Sequence, residues 1–115
     1  MKVIVAGSCT IDDPGVVFRA IELADMEIDE VVVGGARGVD TIAHQAAVQA
    51  GLETRVFEPD WDRWGRSAGP RRNRQMAEYA DALIAVWDGA SRGTRNMIKE
   101  ARARGLEVFV FVWGD

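Results

Sequence analysis

Glu30-Val31-Val32-Val33-Gly34-Gly35-Ala36-Arg37-Gly38-Val39-Asp40-Thr41-Ile42-Ala43-His44-Gln45-Ala46-Ala47 is the stretch that decides the fold. A β-branched run enters a glycine-rich turn, and the turn opens directly into a helical pattern. Glycines let a backbone approach an anion closely. The helix start adds unpaired N–H groups and the positive end of the dipole, and Arg37 adds a planar donor fork. The loop therefore points to a nucleotide-like ligand rather than to a particular reaction. The plainer reading is a tight strand-to-helix turn, with Arg37 on the surface and Asp40 a carboxylate favoured at a helix start.

Outward from this stretch, strand and helix patterns alternate with little slack. Lys2 to Ala6 reads as the first strand, ending at Gly7-Ser8. Asp13-Pro14 opens a helix, the aspartate as cap and the proline at the first position, and Val17, Ala20, Ile21 and Ala24 follow at helical spacing. Val31 to Val33 is the second strand. Val39, Ile42, Ala43, Ala46, Ala47 and Ala50 form the stripe of the second helix, which Gly51 ends. Thr54 to Phe57 is the third strand. Pro59 to Gly69 reads as one long irregular segment carrying Trp61 and Trp64, after which Pro70 opens a third helix bearing Met76, Ala77 and Ala80. Ala82 to Trp87 is the fourth strand, Thr94 to Arg104 the fourth helix with Met97, Ile98 and Ala101 inward, and Val108 to Val112 the last strand.

Runs such as Leu83-Ile84-Ala85-Val86 lack polar alternation, as strands buried on both faces do. The expected fold is α/β and Rossmann-like in three layers: a parallel five-stranded sheet ordered 3-2-1-4-5 with helices on both faces. The order reverses between strands one and four, and ligands bind outside the carboxyl ends of strands at such a switch point.

The chain has 115 residues, a length suited to one domain, with 48% hydrophobic residues and a formal net charge of −4. An acidic balance opposes a general polyanion binder. The arginines are clustered, however: Arg63, Arg66, Arg71, Arg72 and Arg74 in one segment, Arg92 and Arg95 in another. That suits a compact anionic ligand better than a long nucleic acid. Cys9 is the sole cysteine, so no intrachain disulfide forms, which fits a reducing cytoplasm. Cys9 is expected as a small buried residue rather than a nucleophile. With His44 the sole histidine, neither a transition-metal site nor a cofactor is expected. No signal peptide or membrane-spanning run is visible, so a membrane partner is not expected.

The topology brings together four segments that follow strand ends. Gly7-Ser8 is a tight turn with a hydroxyl. Gly34, Gly35, Arg37, Gly38 and Asp40 belong to the phosphate-type loop. Asp88, Gly89, Ser91, Gly93 and Thr94 belong to a second glycine loop that opens a helix. Trp61 to Arg74, with Trp64, Arg66, Arg72 and Asn73, supplies arginine forks and aromatic walls. This last segment is expected to close over a ligand as a mobile lid, the alternative being that Trp61 and Trp64 cover the sheet as core. Trp113 is expected in packing or in an oligomer contact.

Gly34 to Asp40 with Ala43-His44 resembles the signature loop of the SLOG superfamily, which includes the DNA-processing protein A (Smf) family and the LOG family of cytokinin-activating phosphoribohydrolases. Trp64-Gly65-Arg66, Ala68-Gly69-Pro70-Arg71-Arg72-Asn73 with Met76, and Trp87-Asp88-Gly89 with Ser91-Arg92-Gly93-Thr94 are closer still to the small bacterial and phage DUF2493 or YspA-like proteins. The resemblance spans nearly the whole chain and implies a single SLOG-like Rossmann domain over 1–115. It also implies a nucleotide or nucleotide-derived small ligand, held by a sensor, carrier or sequestering protein, often a homo-oligomer. Arg72 and Met76 keep the spacing of the LOG arginine block, and Gly93-Thr94 match its second glycine loop. The position of the LOG glutamate holds Met97, and a thioether is neither acid nor base. A nucleotide N-glycosidic hydrolase is therefore the second expectation; it would need Asp40, Asp88 or Glu100 as substitute, so no catalytic residue is assigned. Binding of single-stranded nucleic acid, suggested by Arg71-Arg72-Asn73-Arg74 and opposed by the net charge, is the third.

Overall fold

The computed structural model describes residues 1–114. Its elements are β1 (Lys2–Gly7), α1 (Pro14–Ala24), β2 (Glu30–Val33), α2 (Val39–Gln49), β3 (Glu53–Val56), α3 (Trp61–Trp64), a 3₁₀ turn (Gly65–Ser67), α4 (Ala68–Tyr79), β4 (Ala82–Trp87), α5 (Arg92–Ala103) and β5 (Glu107–Val112). The five strands form one sheet in the order β3-β2-β1-β4-β5. Every pairing is parallel, with Val3 beside Val31 on one side and beside Ala82 on the other. The Rossmann-like architecture expected from the sequence is the one observed.

Alternation along the strands divides the core between the two faces of the sheet. Val3, Val5, Val31, Val33, Ile84 and Val86 meet Val16, Val17 and Ala20 of α1 and Val39, Ala43 and Ala47 of α2. Ile4, Ala6, Val32, Leu83 and Ala85 meet Met76 and Ala77 of α4 and Met97, Ile98 and Ala101 of α5. The small residues on α2 and β1 let the helices sit close to the sheet. Asp13 caps α1 by accepting from the Gly15 N–H at 2.9 Å, with Pro14 at the helix start, as the sequence predicts.

The segment expected to be irregular is largely helical. Asp60 caps α3, its Oδ1 accepting from the Arg63 N–H at 3.1 Å, and the 3₁₀ turn links that short helix to α4. Helix α4 starts at Ala68, ahead of Pro70. Ala68 is buried and anchors the start, and a proline within the first turn forfeits no intrahelical hydrogen bond. Arg72 and Asn73 consequently stand inside a packed helix, and Asn73 is buried. They are therefore held on a helix rather than on a loop. Trp61 and Trp64 are exposed rather than core. Cys9 is also exposed, against expectation, because it follows β1 at the lip of the carboxyl-end crevice. Trp113 is exposed and stacks on Phe111 of the edge strand β5. Among the described residues no helix is long and apolar enough to cross a membrane.

Candidate functional site

At the switch point, α2 leaves the carboxyl end of β2 on one face of the sheet and α5 leaves that of β4 on the other. The crevice between them is a cleft of about 170 Å³. Its walls are Gly7 and Cys9 after β1, Ala36 and Asp40 at the start of α2, Arg72, Asn73 and Met76 on α4, and Ser91, Gly93, Thr94 and Met97 at the start of α5.

Two glycines shape the floor and rim. A Cβ on Gly7 would strike the Val86 carbonyl oxygen and lie 2.7 Å from Val39 Cγ2, so only glycine lets β1, β4 and α2 converge here. Gly38 has φ +75°, and a Cβ there would stand 2.8 Å from the carbonyl oxygens of both Cys9 and Ile11. The resulting turn is stabilised by Asp40. Its Oδ2 accepts from the Gly34 N–H at 3.0 Å and the Ala36 N–H at 3.3 Å, so the carboxylate fastens the loop it follows.

Burial pushes the Asp40 carboxyl above its ordinary 3.8, while the Ala36 N–H, the Arg72 charge and the Gly34 and Gly7 N–H groups oppose the shift. A carboxyl raised in the folded state contributes stability that is full below the ordinary value and is lost as pH rises through the folded one. Urea melts of the wild type and Asp40→Asn across this range test the shift. The stability of the wild type relative to the variant should fall as pH climbs above 3.8; a flat difference would show that Asp40 is not shifted.

Arg72 is the cation of the cleft. Its Nη1 donates to the Gly34 carbonyl, and its Nε donates to Asn73 Oδ1 at 2.9 Å. Asn73 in turn donates to the Gly93 carbonyl at 3.2 Å and to Asn96 Oδ1 at 2.9 Å, tying α4 to the start of α5. Arg72 is partly buried, and it forms no ion pair among the described residues. Burial lowers its proton affinity and the nearby Asp40 raises it. A guanidinium with spare donors, between two helix N-termini, suits an anion.

The second glycine loop is held from within. Ser8, buried, accepts the Asp88 N–H on its Oγ at 3.1 Å. Asp88 Oδ1 accepts from Ala90 N–H at 2.8 Å and Ser91 N–H at 2.7 Å, and these bonds hold its carboxyl below the usual range. Gly89 turns the chain at φ +83°. Ser91 caps α5 by accepting from the Thr94 N–H at 3.5 Å.

Of the residues the sequence singles out, Gly7, Asp40, Arg72, Asn73, Ser91, Gly93 and Thr94 line the cleft, and Gly34 and Gly35 line an adjoining hollow. Ser8, Gly38, Asp88 and Gly89 build the loops behind it. Arg37 and Arg66 are exposed and line neither space. Trp64 lies beneath Arg71, whose Cζ is 3.6 Å from its ring centroid, with Arg63 at 4.8 Å. Sequence reasoning missed Cys9 and Ala36 as lining residues and Asn96 as the partner of Asn73. The glycine pattern marked the neighbourhood of the first two, whereas nothing in the sequence pairs Asn73 with Asn96.

Known proteins resemble this chain in sequence and in fold. Residues 1–64 match the family described as the YspA, cpYpsA-related SLOG family. The gene 61 protein of Mycobacterium phage D29 is 36% identical over 119 residues, covering 96% of this chain and 95% of that protein. DNA processing protein A from Streptococcus pneumoniae superposes with a TM-score of 0.76 at 23% identity over 98% of this chain. This chain spans 50% of that larger one, and at that identity the likeness is one of fold. With the signature loop inside the matched region and a phage relative matching nearly end to end, the chain belongs to the YspA, cpYpsA-related SLOG family.

Proposed function

We propose that the cleft holds the phosphate-bearing part of a nucleotide or nucleotide-derived small ligand, and that the protein acts as a sensor, carrier or sequestering protein for it. One observation carries this reading: Arg72, partly buried and without an ion pair among the described residues, borders a cavity flanked by the first turns of α2 and α5. Asp40 is near but makes no direct ion pair with it, so the guanidinium keeps donors that a phosphate can take up. A nucleotide panel screened by thermal shift tests the reading, because a ligand that binds the folded state raises its melting temperature. Stabilisation by nucleoside phosphates that Arg72→Ala abolishes supports it; no stabilisation by any member of the panel contradicts it.

Hydrolysis of an N-glycosidic bond is the weaker reading. Met97, where the hydrolase pattern has glutamate, is 1% exposed at the wall of the cleft. The only carboxylate lining the cleft among the described residues is Asp40, whose Oδ2 is occupied by two backbone N–H groups. Incubation with nucleoside monophosphates is expected to release no free base in proportion to protein. Release that Asp40→Asn abolishes would establish the enzyme instead. For a single-stranded nucleic acid, the exposed Arg63, Arg66, Arg71 and Arg74, outside the cleft, are the cations that the sequence clusters.

A further inference from the structure

Two hollows adjoin the cleft, one of about 240 Å³ and one of about 300 Å³. Arg72 borders all three spaces, and Ala36 borders the cleft and the smaller hollow. Ligand sites for drug-sized molecules occupy about 300–1,000 Å³. The cleft alone, at about 170 Å³, is smaller than that, so a nucleotide whose phosphate enters it must extend outward. Its path past Ala36 and Arg72 leads into the hollow walled by Glu58, Pro59 and Trp61.

Trp61 and Glu58 are both free to meet a ligand there. Trp61 is 58% exposed, and no cation stacks on its ring among the described residues. Its Cη2 lies 3.5 Å from where a Cβ on Gly69 would stand, so the indole rests on the first turn of α4. Trp64, by contrast, is already taken by Arg63 and Arg71. The Glu58 side chain lies over Gly35, with Cγ 3.2 Å and Oε1 3.6 Å from that residue's Cβ position. Among the described residues Glu58 makes neither an ion pair nor a side-chain hydrogen bond, whereas its neighbour Asp60 is committed to capping α3.

We propose that Trp61 is the stacking platform for the base of the bound nucleotide, and that Glu58 reads the base edge and selects guanine. The proposal rests on the phosphate reading of the cleft. A carboxylate in the hollow repels phosphate and so directs the base, not the phosphate, to this end. A carboxylate offers two adjacent acceptors and no donor. Guanine presents two adjacent N–H donors, at N1 and N2, that match this fork. Adenine and cytosine present one donor beside a ring-nitrogen acceptor, and uracil one donor between carbonyls, so each sets a lone pair against the second oxygen.

The test is calorimetric titration of GMP, AMP, CMP and UMP into the wild type, Glu58→Gln, Trp61→Ala and Arg72→Ala. The wild type should bind GMP roughly tenfold or more tightly than the other three, the usual scale of a bidentate base contact. Glu58→Gln should bring the four nucleotides to within about threefold of one another. Trp61→Ala should weaken all of them by at least about fivefold, as expected for a lost stacking partner. If all four bind the wild type equally and lose affinity only in Arg72→Ala, the phosphate reading stands and the base subsite is wrong. A preference for another base, unchanged in Glu58→Gln, also overturns the role of Glu58. If none binds the wild type, the phosphate reading fails and this inference fails with it.

Discussion

Gly7→Ala is expected to destabilise the protein by about 3 kcal/mol in urea unfolding, at the upper end of what overpacking a core usually costs. The added methyl has nowhere to go. It would meet the Val86 carbonyl oxygen of the neighbouring strand and Val39 Cγ2 of α2, both fixed by the sheet register and by the helix start. Relief requires β1 and β4 to part at the carboxyl end of the sheet, and that would also widen the cleft. Gly105→Ala provides the control. Gly105 has φ +73° with open space around its Cβ position, so it should cost only about 1 kcal/mol, the strain of a left-handed residue. Gly7 itself lies outside the left-handed region, so a loss no larger than that of Gly105→Ala would show that the close approach to Val86 and Val39 is relieved at little cost.

Arg72→Ala is expected to lower affinity for a nucleoside monophosphate by about tenfold to a hundredfold. Hydrogen bonds to charged groups contribute roughly 1.5–3 kcal/mol, and each ~1.4 kcal/mol is tenfold. Arg72→Lys should recover part of the loss, since it keeps the charge and gives up the planar fork. Both variants lose the bonds to Gly34 and Asn73, which should reduce stability by about 1 kcal/mol per bond, so circular dichroism must first show them folded. Unchanged affinity in a folded Arg72→Ala would remove Arg72 from the site.

Much of this was legible in the sequence because the parallel sheet leaves so few arrangements. Val31-Val32-Val33 and Leu83-Ile84-Ala85-Val86 are apolar on consecutive positions because both faces of the sheet are covered, and the glycines at strand ends mark where the chain turns into helices. The roles within the crevice were harder to read. Arg37, the arginine inside the glycine loop, is exposed and lines no part of the cleft, while Arg72, distant in sequence, borders it from α4. Loop sequence alone does not tell which side of a turn faces a cavity. Asp40 could equally have met a ligand or its own loop; the positive φ of Gly38 folds the loop back so that the Gly34 and Ala36 N–H groups reach it. The helical path of residues 61–67 escaped periodicity because α3 is a single turn with no buried residue, so it has no apolar stripe to detect.

Phosphate is expected to enter the cleft between α2 and α5. The most direct measurement titrates nucleoside 5′-monophosphates beside the matching nucleosides into the wild-type protein by calorimetry. The phosphate should improve affinity by at least about tenfold, the value of one charge-assisted contact, and Arg72→Ala should erase the difference. Nucleosides binding as tightly as their monophosphates would contradict the account.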